Sequence, residues 1–289
     1  KPVPIYGSEQ VTNGDFSQEG AEQITNGDFA TDTDWAKGTG WTISGGSASF
    51  NTITNNSLTQ SGFANSKIYK VSIDIVSYVR GNPFIAIGQG SQYTIPTSVG
   101  THVIYVTSGS VDTVLRIYSG GYGSGGEGSI DNVSVKEVGQ DWTLGTGWSI
   151  GEDKAINNGT SAFINSVSNV FISGKTYKVG ITVSNRTTGQ VSYPYDGSAT
   201  TYISSNGYFS QIYTPGDTNR CWIYAQGGFD GSITNISVQE VLSPDGDFTF
   251  TRGSNLSATR VNEAQLIEKG RENLILQSNQ FDTTWLTTR

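Results

Sequence analysis

Hydrophobic and polar positions alternate with a period of two through most of residues 24–241. In YKVSIDIVS, Val71, Ile73 and Ile75 fall on one side, and Ser72, Asp74 and Val76 on the other. Val179, Ile181 and Val183 repeat the first set further along. Alternation over six residues or more predicts half-buried strands. Turn signals (GG, NN, GN, SNG, PGD) recur every 8–12 residues, a spacing that suggests a β-sandwich or jelly roll. No segment of residues 1–241 predicts a helix. The expected fold class is all-β: tandem jelly-roll β-sandwiches, an extended N-terminal segment, and the start of a further β module at the C terminus.

Two long repeats set the domain boundaries. DWAKGTGWTI (34–43), KIYKVSIDIVSY (67–78), VLRIYSGG (114–121) and GSIDNVSVKEV (128–138) recur in the same order as DWTLGTGWSI (141–150), KTYKVGITVSN (175–185), RCWIYAQGG (220–228) and GSITNISVQEV (231–241). Trp35 and Trp142 stand 107 residues apart, the length of an independent domain. Module one is assigned to 24–138 and module two to 139–241. A shorter repeat precedes them: GSEQVTNGDFSQE (7–19) aligns with GAEQITNGDFATD (20–32). The second TNGDF reads as the opening strand of module one. The first has no module directly after it, and module two has VGQDW where NGDF would stand. Residues 1–23 are therefore expected to lie extended as an anchor against another chain. Residues 242–289 read as a linker, then the start of a third β module, with NLIL (273–276) as a strand and SNQFDTTW (278–285) echoing TNGDFATDTDW. The absence of Met and the start at Lys1 suggest a part of a longer polypeptide.

Composition narrows the function classes. The net charge of −8 disfavours a nucleic-acid partner, because phosphate binding needs a basic face. No apolar run reaches the length of a membrane span, so no membrane insertion is expected. The single cysteine, Cys221, excludes an internal disulfide framework. His102 is the only histidine and lies in a strand pattern beside Ile104 and Val106, which reads as structural. No nucleophile elbow, zinc motif or phosphate loop occurs, and no carboxylate pair recurs in both modules, so the chain is read as non-enzymatic.

Aromatic residues supply the candidate chemistry. Sugars present apolar C–H faces that stack on exposed rings. In RCWIYA, Cys221 and Ile223 share one face and Trp222 and Tyr224 the other; in VLRIYS, Leu115 and Ile117 oppose Arg116 and Tyr118. With the apolar faces in the core, Trp222, Tyr224, Arg116 and Tyr118 line an outer sheet surface, and the SYPYDG loop adds Tyr193 and Tyr195. These six are the candidate glycan contacts; the alternative is that they dock a neighbouring module, subunit or other protein. Trp35, Trp41, Trp142 and Trp148 repeat at one spacing in both modules and are assigned a core or rim role.

NGDF, the following acidic loop, the GW of the next strand and the closing IDNVSV resemble the carbohydrate-binding jelly-roll modules of glycoside hydrolases, of the family 4/9-like group. Over the whole chain, tandem NGDF units, paired modules ending in SVKEV, and the segment ATRVNEAQLIEKGRENLIL (258–276) resemble the modular structural proteins of tailed bacteriophages of the crAss-like type. The phage resemblance implies a virion component, a fibre or appendage of the extracellular particle. Its implied partners are other virion proteins, further copies of the chain (a trimer first) and a host surface glycan. The module resemblance alone implies a carbohydrate-binding pair from a polysaccharide-degrading enzyme. It also implies a structural calcium ion in module one between Asp28 and Asp131, hard oxygen ligands at the first and last strands; no other cofactor is expected.

Overall fold

A computed structural model describes residues 4–121, 123–195, 201–243, 259–261 and 267–269. No helix occurs among them. After β1 (Ile5–Glu9), the first module comprises β2 (Glu19–Glu22), β3 (Ala36–Lys37), β4 (Trp41–Ser44), β5 (Ser47–Asn51), β6 (Ser57–Ser61), β7 (Ile68–Arg80), β8 (Phe84–Ile87), β9 (Tyr93–Thr94), β10 (Gly100–Thr107), β11 (Val114–Tyr118) and β12 (Glu127–Val138). The second comprises β13 (Trp142–Leu144), β14 (Trp148–Gly151), β15 (Lys154–Asn158), β16 (Ala162–Phe171), β17 (Tyr177–Ser192), β18 (Tyr202–Ile203), β19 (Gly207–Tyr213) and β20 (Asn219–Ser243). The chain is all-β, and its two modules are tandem β-sandwiches.

Module one has two antiparallel sheets, ordered β10-β7-β12-β5-β4 and β3-β6-β11-β8-β9, with β2 paired to β12. Strand alternation decides what lies between them. Val71, Ile73 and Ile75 of β7 face Leu58, Leu115 and Ile117 in a single buried cluster, while Val76 is exposed. Module two repeats this plan with two strands that run through both sheets. The first half of β20 pairs with β16 and the end of β17, and its second half with β15 and the start of β17. In module one the chain breaks at those places. Pro83, which has no N–H to give a ladder, separates β7 from β8, and a Gly-rich loop separates β11 from β12. In module two Gly189 bends the strand instead, at φ +69°. A Cβ there would lie 2.1 Å from the amide nitrogen of Phe229, so only glycine fits the bend.

The four repeated tryptophans are buried, as their spacing predicts. Trp41 Nε1 donates to Asn56 O at 3.1 Å, and Trp148 Nε1 to Ala162 O at 3.1 Å. Each indole thereby ties an end of its sandwich to a neighbouring loop or strand while burying its ring. His102 is structural in its contacts: Nε2 lies 2.7 Å from Ser98 O.

The first TNGDF copy takes a place other than the one expected. β1 pairs antiparallel with the end of β20, and Val11 and Phe16 belong to the core of module two. The second copy seats on module one, with Ile24 and Phe29 in that core. Module two is therefore built from residues 5–16 together with 142–243, and the anchor expected over 1–23 is, across its described residues, the missing opening strand of module two and the lead-in to module one. The reason is physical. VGQDW places no apolar ring where Phe29 sits in module one, and Phe16 supplies it from upstream.

The two compact units of the chain divide near Pro244. In the second unit β21 (Thr259–Val261) pairs antiparallel with β22 (Ile267–Lys269). The strand expected at 273–276 and the third-module opening at 278–285 lie outside the described residues.

Candidate functional site

The outer face of module two gathers four aromatic rings. β16 and β20 are antiparallel, in a register that sets Phe163 opposite Tyr224 and Asn165 opposite Trp222. Ile164, Cys221, Ile223 and Ala225 point inward and are fully buried. Their neighbours Phe163, Trp222 and Tyr224 must then point outward, and all three are half-buried. Phe163 stacks on Tyr224, with centroids 4.4 Å apart and planes 24° apart, and meets Trp222 edge-on at 5.5 Å and 90°. Tyr195 completes the group, 5.1 Å from Phe163 and 5.3 Å from Tyr224. A backbone bond from Tyr195 N to Trp222 O, 3.0 Å, pins that segment to β20. Trp222 Nε1 donates to Asn219 Oδ1 at 3.0 Å, which fixes the indole. Further along the same face, Gln226 Nε2 donates to Ser192 Oγ at 2.6 Å.

Stacked and edge-on rings hold one another in place, so the platform is ordered before any ligand arrives, which lowers the cost of binding. Apolar rings bordered by the half-buried amides of Asn219 and Gln226 offer what a pyranose ring requires: contact for its C–H face, and donors and acceptors for its hydroxyls.

The six sequence-predicted residues separate into three groups. Trp222, Tyr224 and Tyr195 come together on this face. Tyr193 does not: it continues the inward phase of Val191, is 2% exposed, and donates its hydroxyl to Ser237 O at 3.0 Å. Burial raises the Tyr193 phenol well above its ordinary pKa, and Cys221 beside it adds to the effect. Arg116 and Tyr118 lie on the equivalent face of module one, in other surroundings. Tyr118 stacks on Phe84 at 4.3 Å and 18°. Arg116 is clamped by Asp112, with Nη1 3.0 Å from Oδ1 and Nη2 2.7 Å from Oδ2. That guanidinium, with Gln89, holds the Asp112 carboxyl well below the usual carboxylate range. Module one has Ser57, opposite Tyr118, at the place Phe163 holds in module two. Phe163 was missed by sequence reasoning. Alternation in AFIN could have placed it outward, but its partnership with Tyr224 depends on the β16–β20 register.

Asp28 and Asp131 flank one strand crossing, where Val133 N donates to Gly27 O at 2.8 Å. Asp131 Oδ1 accepts from Asn132 N at 2.7 Å, and Asp28 Oδ1 from Ala30 N at 3.4 Å. Among the described residues no group of three His, Cys, Asp or Glu side chains converges as a metal site. The expectation that module two lacks an NGDF is corrected. Asp15 stands there in the place of Asp28, and its carbonyl accepts from Thr234 Oγ1 at 3.3 Å.

No protein-family model matches the chain, and no curated protein matches it. Among solved structures, the N-terminal CBM22-1–CBM22-2 tandem domain of Xyn10C from Paenibacillus barcinonensis is similar at 10% identity and a TM-score of 0.29. The match covers 81% of this chain and 93% of that one.

Proposed function

We propose that this chain is a non-catalytic glycan-binding segment of a tailed-bacteriophage fibre or appendage, in which module two contacts a host surface glycan. The observation that carries the glycan reading is the mutually stacked face of Phe163, Tyr195, Trp222 and Tyr224. A pre-ordered cluster of half-buried aromatic rings with amide groups beside it suits a sugar ring better than a charged or fully apolar ligand. The virion reading is supported by the sequence resemblance of the tandem TNGDF units and residues 258–276. Its partners are other virion proteins and further copies of the chain.

The same platform would serve a carbohydrate-binding pair attached to a polysaccharide-degrading enzyme. Mass spectrometry of purified particles separates the two: presence of the chain supports the virion, and its attachment to a hydrolase domain overturns it. The glycan reading is tested on an array of bacterial and plant polysaccharides. Binding by the full chain that is lost in Trp222→Ala and Tyr224→Ala supports it. Binding that both variants retain, or no binding by the folded chain, overturns it.

A further inference from the structure

The two TNGDF copies occupy two equivalent grooves through equivalent bonds. On module two, Glu9 Oε1 accepts from Val238 N at 2.6 Å and Glu9 Oε2 from Ser237 Oγ at 2.7 Å. On module one, Glu22 Oε1 accepts from Val135 N at 2.7 Å and Glu22 Oε2 from Ser134 Oγ at 2.5 Å. Gln10 N donates to Val238 O, and Gln23 N to Val135 O, both at 2.9 Å. Gly14 and Gly27 lie so close to the opposing strand that a Cβ on either would sit 2.0 Å from the carbonyl oxygen of Ile236 or Val133. Each groove thus recognises one pattern: a carboxylate, an apolar side chain, a glycine flush with the backbone and a terminal phenylalanine.

The grooves differ in how the strand is tethered. Residues 24–29 run straight on into the strands of module one. Residues 5–16 enter module two from outside, because every other strand of that module comes from 142–243. Their only covalent route to it runs through the whole of module one. That route crosses two short connectors: Ser17–Gln18 before β2, and residues 139–141 between β12 and β13, where Gly139 has φ +71°. A segment whose seat is non-covalent can be supplied by any chain that carries it. Opening both connectors and closing them on a second copy retains every bond named above, so the exchange costs the entropy of association and the turn bonds of the connectors, such as Trp142 N to Gly139 O at 3.0 Å.

We propose that the module-two groove is a strand-binding site whose partner is the N-terminal segment of a second copy of this chain, linking copies by exchange of residues 5–16. The proposal stands independently of glycan binding. Its recognition chemistry is strand addition at a sheet edge, with main-chain bonds giving affinity and the Glu9, Gly14 and Phe16 positions giving specificity.

A disulfide reads the exchange directly in the full chain. A Cβ at Gly7 would lie 3.6 Å from the Cβ of Glu240, within the range a disulfide spans. Gly7→Cys in one chain and Glu240→Cys in an isotopically heavier chain are denatured, mixed, refolded and oxidised. The hetero-crosslinked dimer is expected, with its fraction rising about tenfold for a tenfold rise in concentration while it is the minority. Adding Gly14→Val to the donor should abolish it. The double variant in a single chain is the control, and it should close on itself at low concentration. Closure within the chain at every concentration, with no hetero-crosslink in the mixture, overturns the proposal. So does a crosslink that survives Gly14→Val, or a double variant that forms no disulfide.

Discussion

Trp142 Nε1 donates a 2.9 Å hydrogen bond to the carbonyl of Asn13, a residue 129 positions earlier. Trp35 makes the same bond to Asn26 at 3.0 Å, across nine positions. The ring partners match as well: Phe16 lies 5.2 Å from Trp142 at 43°, and Phe29 lies 5.4 Å from Trp35 at 42°. One local device is therefore used twice, once across nine positions within a module and once across 129 positions.

Phe16 is 1% exposed, in the core of module two. Phe16→Ala should destabilise that module by about 3–5 kcal/mol, the usual cost of emptying a buried phenylalanine site. Hydrogen exchange read by mass spectrometry separates the modules: protection should fall over 139–241 and hold over 24–138. Phe29→Ala should give the reverse pattern. Loss confined to module one in Phe16→Ala would contradict the assignment.

Gly14→Ala and Gly27→Ala test the flush contact itself. Neither glycine has a positive φ that demands glycine, so the obstacle is the carbonyl 2.0 Å from the added methyl. Each substitution should cost more than about 2 kcal/mol, as clashes against backbone do. Ala21→Gly on the adjoining, exposed strand should change little. Equal thermal shifts for all three would show that the close approach does not matter.

The sandwich plan was legible because alternation reports burial directly: Val71, Ile73 and Ile75 were placed in the core from YKVSIDIVS alone. Partnership across the chain was not legible. Nothing in VTNGDF says that Phe16 packs beside Trp142, 126 residues downstream, since residues 12–16 form a turn with Asn13 and Phe16 at positive φ, and the partner of a turn is set by tertiary packing. Alternation also placed Trp222 and Tyr224 outward, as found. It could not show that Tyr193 keeps the inward phase of β17 while Tyr195 leaves it. Nor could it show that Phe163 joins the outer face, because register is a property of the paired sheet.

Asp112 should give module one a measurable acid sensitivity. Arg116 beside it, then Gln89, hold its carboxyl below the usual range in the folded chain. A depressed folded value means that the ion pair adds stability above the unfolded value of about 4 and loses it as pH falls toward the folded value. Asp112→Asn should therefore lower stability at pH 7 by up to about 1 kcal/mol, since both groups retain solvent contact. The gap between the urea midpoints of the two proteins should narrow below about pH 4. A gap that widens in acid would show that Asp112 does not act through this pair.

Cys221 should be inert in the folded chain. It is fully buried beside Tyr193, and burial pushes its thiol up to about 12. The thiolate is the reacting form, so iodoacetamide at pH 8 should leave the native protein unmodified and alkylate it once in denaturant. Fast labelling of the native chain would mean that module two opens locally at β20.

Phe163 gives the sharpest test of the aromatic face, because it contacts the other three rings at once. Phe163→Ala removes its own contact area and frees Tyr195, Trp222 and Tyr224 from their stacking and edge-on partners. Each aromatic pair is worth about 0.5–1.5 kcal/mol beyond area. The glycan that the intact chain binds on the array should therefore bind at least about tenfold more weakly in titration calorimetry. Tyr118→Ala, on the matching face of module one, should leave that affinity unchanged, because Tyr118 stacks on Phe84 and lies outside the module-two face. If both substitutions weaken binding equally, the ligand contacts both modules. If only Tyr118→Ala does, the glycan site lies on module one and the module-two face has another use.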